Sequence, residues 1–193
     1  MKIANRVLIA IFAGLLAGCD APVQPVVAKT GVDLSTWHKV GDDPWRLVND
    51  GVAAGPAEAM GYLVSNDSYD DFALSLEYWV ADDTNSGIFI RCSHPQEISP
   101  GNCFEINIWD SHPNQDSRTG SIVTLSKPLA RVSALERWVR VDIEAEGNRI
   151  RAKFDGELTA ELVIERSPSG VIALQYGGTG ELKFRNLSIE LKQ

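Results

Sequence analysis

Basic residues are scarce in this chain of 193 amino acids: 18 Lys and Arg stand against 26 Asp and Glu, a net charge of −8. Lys2 and Arg6 both fall in an N-terminal leader, so the remainder carries 16 basic residues and a net charge of −10. A surface of that sign repels phosphate backbones and releases no counterions on meeting them, which argues against nucleic acid as a partner. It also offers no polybasic patch for anionic lipid. Histidine is limited to His38, His94 and His112, with neither the His-x-His nor the His-x-x-x-His spacing of a metal site. No cofactor is implied, a divalent cation being left open, and His112 beside Asp110 is the one candidate metal or acid/base pair. After the first 18 residues no apolar run approaches the roughly 20 residues that a spanning helix needs. A sustained helical period with caps is missing too; residues 133–136 suffice for one short turn.

What is present begins with the leader. Lys2 and Arg6 precede the apolar stretch Val7 to Leu16, the pattern of a secretory signal over residues 1–18. Leu16-Ala17-Gly18-Cys19 then resembles a bacterial lipobox, in which the cysteine is acylated and becomes the new N-terminus. Several acyl chains make such an anchor stable, whereas one binds only marginally. The alternative is a plain signal peptide with a coincidental Cys19. Residues 19–32, with two prolines and little amphipathic pattern, read as the lipidated cysteine and its tether. Asp20 resembles an inner-membrane retention signal, so the expected location is the cell envelope, facing the periplasm. Export into an oxidising compartment makes a disulfide the default for Cys92 and Cys103. A metal site with His94 is the competing reading.

Residues 33–193 are expected to form one domain of all-β class. Phe72, Leu74, Leu76, Tyr78 and Val80 alternate with Ala73, Ser75, Glu77 and Trp79. The same period of two runs through Ile88–Arg91, Phe104–Ile108, Val139–Glu144 and Arg149–Phe154. Turn residues separate these runs, and Asp155-Gly156 between two of them is the strongest hairpin signal. The final run changes phase at Arg185-Asn186, which predicts a β-bulge. Many short strands with regular turns mean a sandwich or barrel, of roughly a dozen strands at this length. Arg140, Asp142 and Glu144 opposite Arg149, Arg151 and Lys153 predict a solvated, charge-paired sheet face.

Several strings then resemble the 3-keto-disaccharide hydrolase family in order and spacing. They include Leu34-Ser35-Thr36-Trp37, Trp45 to Val52, Gly61-Tyr62-Leu63-Val64, Tyr69 to Tyr78 and Asn85-Ser86-Gly87-Ile88-Phe89-Ile90-Arg91. Phe104-Glu105-Ile106-Asn107-Ile108-Trp109-Asp110, Thr119-Gly120, Trp138, Gly170 to Gln175 and Phe184 to Leu187 follow. The resemblance covers about residues 31–192. It implies a concanavalin-like jelly roll, two curved antiparallel sheets with a sugar cleft on the concave face. It also implies action on glycosides already oxidised at C3. A ketone there acidifies the hydrogen at C2, so a base can remove it, expel the C1 substituent and let water add back.

Such a site needs a base, a donor for the keto oxygen and an acid for the leaving oxygen. Glu105 is the candidate base and Arg91 the candidate donor. Asp110 completes the catalytic set if a bulge after Asn107 brings it to the same face. Asn85, Asn107, Trp109 and Gln175 are the substrate-binding candidates. Glu-x-Asn-x-x-Asp echoes the glucanase strand Glu-x-Asp-x-x-Glu. Asn107 replaces its central carboxylate, however, so a retaining mechanism with two close carboxylates does not follow. Two plainer readings stand beside these. Glu105 and Arg91 could form a cross-strand ion pair, and Trp79 and Trp109 could be packing rather than sugar platforms. The expected function is a lipid-anchored hydrolase or lyase for 3-keto-glycosides; the alternatives are a non-catalytic carbohydrate-binding lipoprotein and a structural envelope lipoprotein. The partners are then an oligosaccharide or oxidised glycoside, and a membrane through Cys19.

Overall fold

Period-two alternation puts apolar side chains on one side of each strand, and two such faces bury each other. The computed structural model describes residues 26–30, 34–82, 84–133, 135–165 and 169–192. The leader, Cys19 and the first part of the tether lie outside them. Thirteen strands occur among the described residues: β1 Val26–Thr30, β2 Trp37–Gly41, β3 Trp45–Val48, β4 Gly51–Ala54, β5 Ala59–Tyr69, β6 Phe72–Val80 and β7 Thr84–Cys92. They continue as β8 Phe104–Ile108, β9 Val139–Glu146, β10 Arg149–Phe154, β11 Glu157–Val163, β12 Gly170–Gly178 and β13 Leu182–Leu191. One antiparallel sheet has the order β11-β10-β9-β6-β13-β4-β3, with β1 also on β13; the other has the order β2-β5-β12-β7-β8. This is the jelly-roll sandwich that the alternation and the resemblance led us to expect.

The core lies between the sheets. Phe72, Leu74, Leu76, Tyr78 and Val80 of β6 meet Leu63, Ile88, Ile90, Ile106, Ile108, Ile172 and Leu174 of the smaller sheet in one continuous apolar cluster. Between the inward residues of β6, its outward ones are half-buried. On the outer face of the larger sheet the predicted charge pairing is present in part: Lys153 Nζ lies 3.4 Å from Glu144, whereas Arg149 and Arg151 turn to Glu161 of β11 at 3.5 and 2.9 Å and Arg140 pairs with Asp142 of its own strand. Asp155 and Gly156 take the two positive φ angles, 49° and 82°, that a tight β10–β11 hairpin needs. The bulge falls where the phase changes: β13 shifts register between Arg185 and Ser188, with Asn186 at φ 53°.

One boundary differs from the expectation. The stretch read as tether contains β1, whose Cα partners run from Leu191 back to Ser188. The pairing of β13 with β4 stops at Arg185, so its second half would otherwise be an open edge. Among the described residues the sandwich therefore includes Val26–Thr30, within the stretch that the composition assigned to the tether.

Candidate functional site

The outward face of the smaller sheet carries the polar residues of interest in two adjacent rows. Strand register aligns Val40, Tyr62, Gln175, Gly87 and Asn107 in one row. It aligns His38, Val64, Ala173, Phe89 and Glu105 in the next. The disulfide joins Cys92 at the end of β7 to Cys103, just before β8, with Cα atoms 4.2 Å apart. It closes a loop whose Ile98 clusters on this face with Val64, Phe89, Val171 and Ala173. Part of the face is thus sealed by apolar contacts, and the polar groups lie beside the seal.

Glu105 is the centre of this group. It is only 7% exposed, and burial raises its carboxyl from 4.5 to about 7. Among the described residues it takes no hydrogen bond and no ion pair, so the shift comes from desolvation alone. Gly87 makes room for it. A Cβ at position 87 would lie 3.0 Å from Glu105 Oε1 and 3.3 Å from Gln175 Oε1. Gln175 directs Nε2 toward the Tyr62 hydroxyl at 3.5 Å, while its buried Oε1 has no partner. Asn107 donates from Nδ2 to the Ser117 carbonyl, and its Oδ1 is likewise buried without a partner. The Tyr62 ring meets Phe89 edge-on at 5.6 Å. Its phenol is pushed up, first by burial and further by the Glu105 charge, while its bond with Gln175 opposes the rise. One carboxyl, one phenol and two amides therefore share a patch, and two buried acceptors there lack donors.

Tyr62 was not singled out from the sequence. Its signal was available: Leu63 points into the core, so the residue before it must face outward with Gln175. Asn85 belongs to the next row on this face, opposite Gly177.

Arg91 departs from its expected role. Its φ of 52° breaks the alternation, and the guanidinium, 1% exposed, is spent on structure. Nε and Nη2 donate to the Asp70 carbonyl at 3.1 and 2.9 Å, Nη1 to the Gly147 carbonyl at 2.9 Å, and Nη2 also to Asp71 Oδ1 at 2.9 Å. It ties the β5–β6 and β9–β10 turns together. With four of its five donors engaged, it is placed neither as a keto-oxygen donor nor as the ion partner of Glu105.

Asp110 also departs. β8 ends at Ile108, no bulge brings Asp110 round, and its field acts on Tyr78, a core residue of the opposite sheet. Its Oδ1 accepts from Thr119 Oγ1 at 2.5 Å and its Oδ2 from Ser133 Oγ at 3.1 Å. It sits at the open end of the sandwich rather than among the face residues. Trp109 is half-buried, with Nε1 donating to Ser111 Oγ at 3.1 Å and His112 packed edge-on at 4.6 Å. His112 bonds to Asn114 rather than to Asp110. Trp79 is covered by Lys183 Nζ, 4.7 Å above its ring. Among the described residues no group of three His, Cys, Asp or Glu could hold a metal ion.

The sequence matches the 3-keto-alpha-glucoside-1,2-lyase-like domain over residues 27–190. Two proposed glycosyl hydrolases of Parabacteroides distasonis share the fold. One has a TM-score of 0.65 and 21% identity over 88% of this chain and 98% of its own; the other has 0.72 and 14% over 83% and 90%. The carbohydrate-binding module CBM66 of Bacillus subtilis superposes with a TM-score of 0.60 and 15% identity, over 80% of this chain and 95% of its own. At such identities the likeness establishes the fold alone. No curated protein matches the sequence.

Proposed function

The chain belongs to the 3-keto-alpha-glucoside-1,2-lyase-like family, and from that premise we propose that it cleaves 3-keto-glycosides with Glu105 as the base. The observation that carries this reading is the lone buried carboxyl held at about 7. Near neutral pH such a group is about half ionised, so it can take a proton and return it in one cycle. Paired-carboxylate hydrolysis needs a second carboxyl about 5 Å away in retaining enzymes. Elimination needs no second carboxyl at that distance, since one group can act first as base and then as acid.

In the proposed reaction a Glu105 oxygen takes the proton from C2 of the keto-sugar. The C2–H electron pair forms the C2=C3 bond of an enolate with its charge on the keto oxygen; the ketone then reforms, the pair shifts into a C1=C2 double bond, and the C1–O bond breaks with its pair on the leaving oxygen. That oxygen takes the proton that Glu105 removed from C2, and the regenerated carboxylate then accepts a proton from water as the hydroxide adds at C1, returning it to C2 to give the free keto-sugar. The Tyr62 hydroxyl lies within the field of the Glu105 carboxyl and suits the enolate oxygen, a role that Arg91 cannot fill. Gln175 Oε1 and Asn107 Oδ1 are acceptors for sugar hydroxyls, which would satisfy both buried atoms. The lipobox-like Cys19 supports placing this activity on a membrane surface facing the periplasm.

A second reading, carbohydrate binding without catalysis, draws on Asn107 standing where glucanases carry a carboxylate. Product analysis separates the two. Purified protein offered 3-keto-trehalose and 3-keto-sucrose should release monosaccharides and leave the unoxidised parents intact. Binding of either keto-sugar without cleavage would replace the lyase reading with the binding one.

A further inference from the structure

Among the described residues two arginines are buried almost completely, and they differ in a way that points to a ligand. Arg91 shows how a structural guanidinium is satisfied, with four donors on two carbonyls and a carboxylate. Arg118, 5% exposed, follows the short turn Gln115–Ser117 in the loop beyond β8. Its Nη2 lies 3.6 Å from Asp110 Oδ1, while Nε and Nη1 are buried with no partner. Unmade hydrogen bonds on a buried cation are costly, because their hydration has been lost without replacement.

Arg118 lines a cavity of about 380 Å³ at the end of the sandwich, together with Asp110, Ser111, Arg131, Val132 and Ser133. That volume lies within the range of small-molecule sites. Two guanidinium groups against one carboxylate give the cavity a net positive lining, in a chain whose overall charge is −8. The Asp110 carboxylate is already held by Thr119 and Ser133, so it does not cancel the demand of Nε and Nη1. Ser133 in the lining is braced as well: Arg137 donates twice to its carbonyl, at 3.0 and 2.7 Å, and pairs with Asp155 at 2.6 Å. The Tyr78 hydroxyl, buried without a partner, lies within the field of Asp110 and Arg118.

We propose that this end cavity is a carboxylate-binding site, with Arg118 as its buried anchor and Arg131 at its exposed rim. The shared chemistry is a small carboxylate, supplied either by a free organic acid or by a uronic-acid residue of a glycan. Its oxygens would accept from the donors of Arg118 that the protein leaves unpaired, at a location distinct from the Glu105 face.

Calorimetric titration at pH 7 with glucuronate, acetate and methyl glucoside tests it on the intact protein. Glucuronate or acetate should bind and methyl glucoside should not. Acetate binding as tightly as glucuronate assigns the site to free acids; stronger glucuronate binding assigns it to acidic sugars. Arg118→Gln should weaken binding about tenfold or more, as expected for a charge-assisted hydrogen bond. Because that variant removes a buried cation and could lose its fold, Arg131→Gln on the rim and Asp110→Asn are read beside it. Arg131→Gln should weaken binding several-fold, in a salt-dependent manner. Asp110→Asn should tighten it, since a like charge is removed. Absence of carboxylate binding overturns the proposal. So does methyl glucoside binding that Asp110→Asn abolishes, which would make the cavity a neutral-sugar clamp.

Discussion

Replacing Glu105 with glutamine should change the stability of this protein in a pH-dependent way. The carboxyl is held at about 7 in the folded state against an ordinary value of 4.5. A carboxyl whose pKa rises on folding keeps its proton longer in the native state than in the unfolded chain. Between the two values the native state therefore binds more protons, and stability falls as pH rises through that window. Below 4.5 both states are protonated and nothing is lost; above 7 both are ionised and the loss is complete. At about 1.4 kcal/mol per pH unit the interval amounts to roughly 3 kcal/mol. Glutamine is neutral throughout and escapes the loss. The stability of Glu105→Gln relative to wild type should then grow by roughly 3 kcal/mol between pH 4.5 and pH 8. In a chain of this size that is a relative gain in Tm of about 6–12 °C. Urea unfolding at four pH values measures it, and any fixed cost of the new amide cancels in the difference. The kinetic counterpart is a fall in turnover of a 3-keto-glycoside by about 100-fold, with KM little changed. In the wild type, activity should rise with pH around a midpoint near 7, as the base ionises. Parallel stability curves for the two proteins would refute the reasoning, because Glu105 would then titrate as an ordinary surface carboxyl.

Gly87→Ala places a methyl group 3.0 Å from the Glu105 carboxyl oxygen, so turnover or sugar binding should drop about tenfold or more. Its unfolding midpoint should shift only modestly, because φ at that position suits any residue. Arg91→Lys leaves several buried acceptors unpaired and should cost about 3 kcal/mol by chemical denaturation, with unchanged kcat per folded molecule. Altered catalysis at full folding would return Arg91 to the site. Replacing Cys92 and Cys103 together with serine opens a loop with a sequence separation of 11 and should lower stability by about 3 kcal/mol. Free thiols in non-reduced peptides from the native protein would contradict the pairing. Cys19→Ala should release the protein from membranes on fractionation, and a variant still pelleting with them would exclude lipidation as the main tether.

The fold was legible in the sequence wherever a local rule acts alone. A side-chain period of two assigns each residue of Phe72–Val80 to a face without reference to any other strand. Asp155-Gly156 encodes its own hairpin because both residues tolerate positive φ. The phase change at Arg185-Asn186 marks its bulge for the same reason. Glu105, Asn107 and Gln175 were legible as face residues from that alternation and from the family resemblance. Four features were not, and each depends on contacts outside its own strand. Arg91 leaves its face because a positive φ turns it toward the Asp70 and Gly147 carbonyls, 21 and 56 residues away. Asp110 lies past the end of β8, where alternation no longer applies, and Thr119 and Ser133 decide its place. The raised pKa of Glu105 and the unpaired donors of Arg118 are properties of burial, and burial is set by what packs across the two sheets. Alternation determines which way a side chain points; only the tertiary structure decides what meets it there, because desolvation and hydrogen-bond supply are sums over neighbours that the local sequence does not contain.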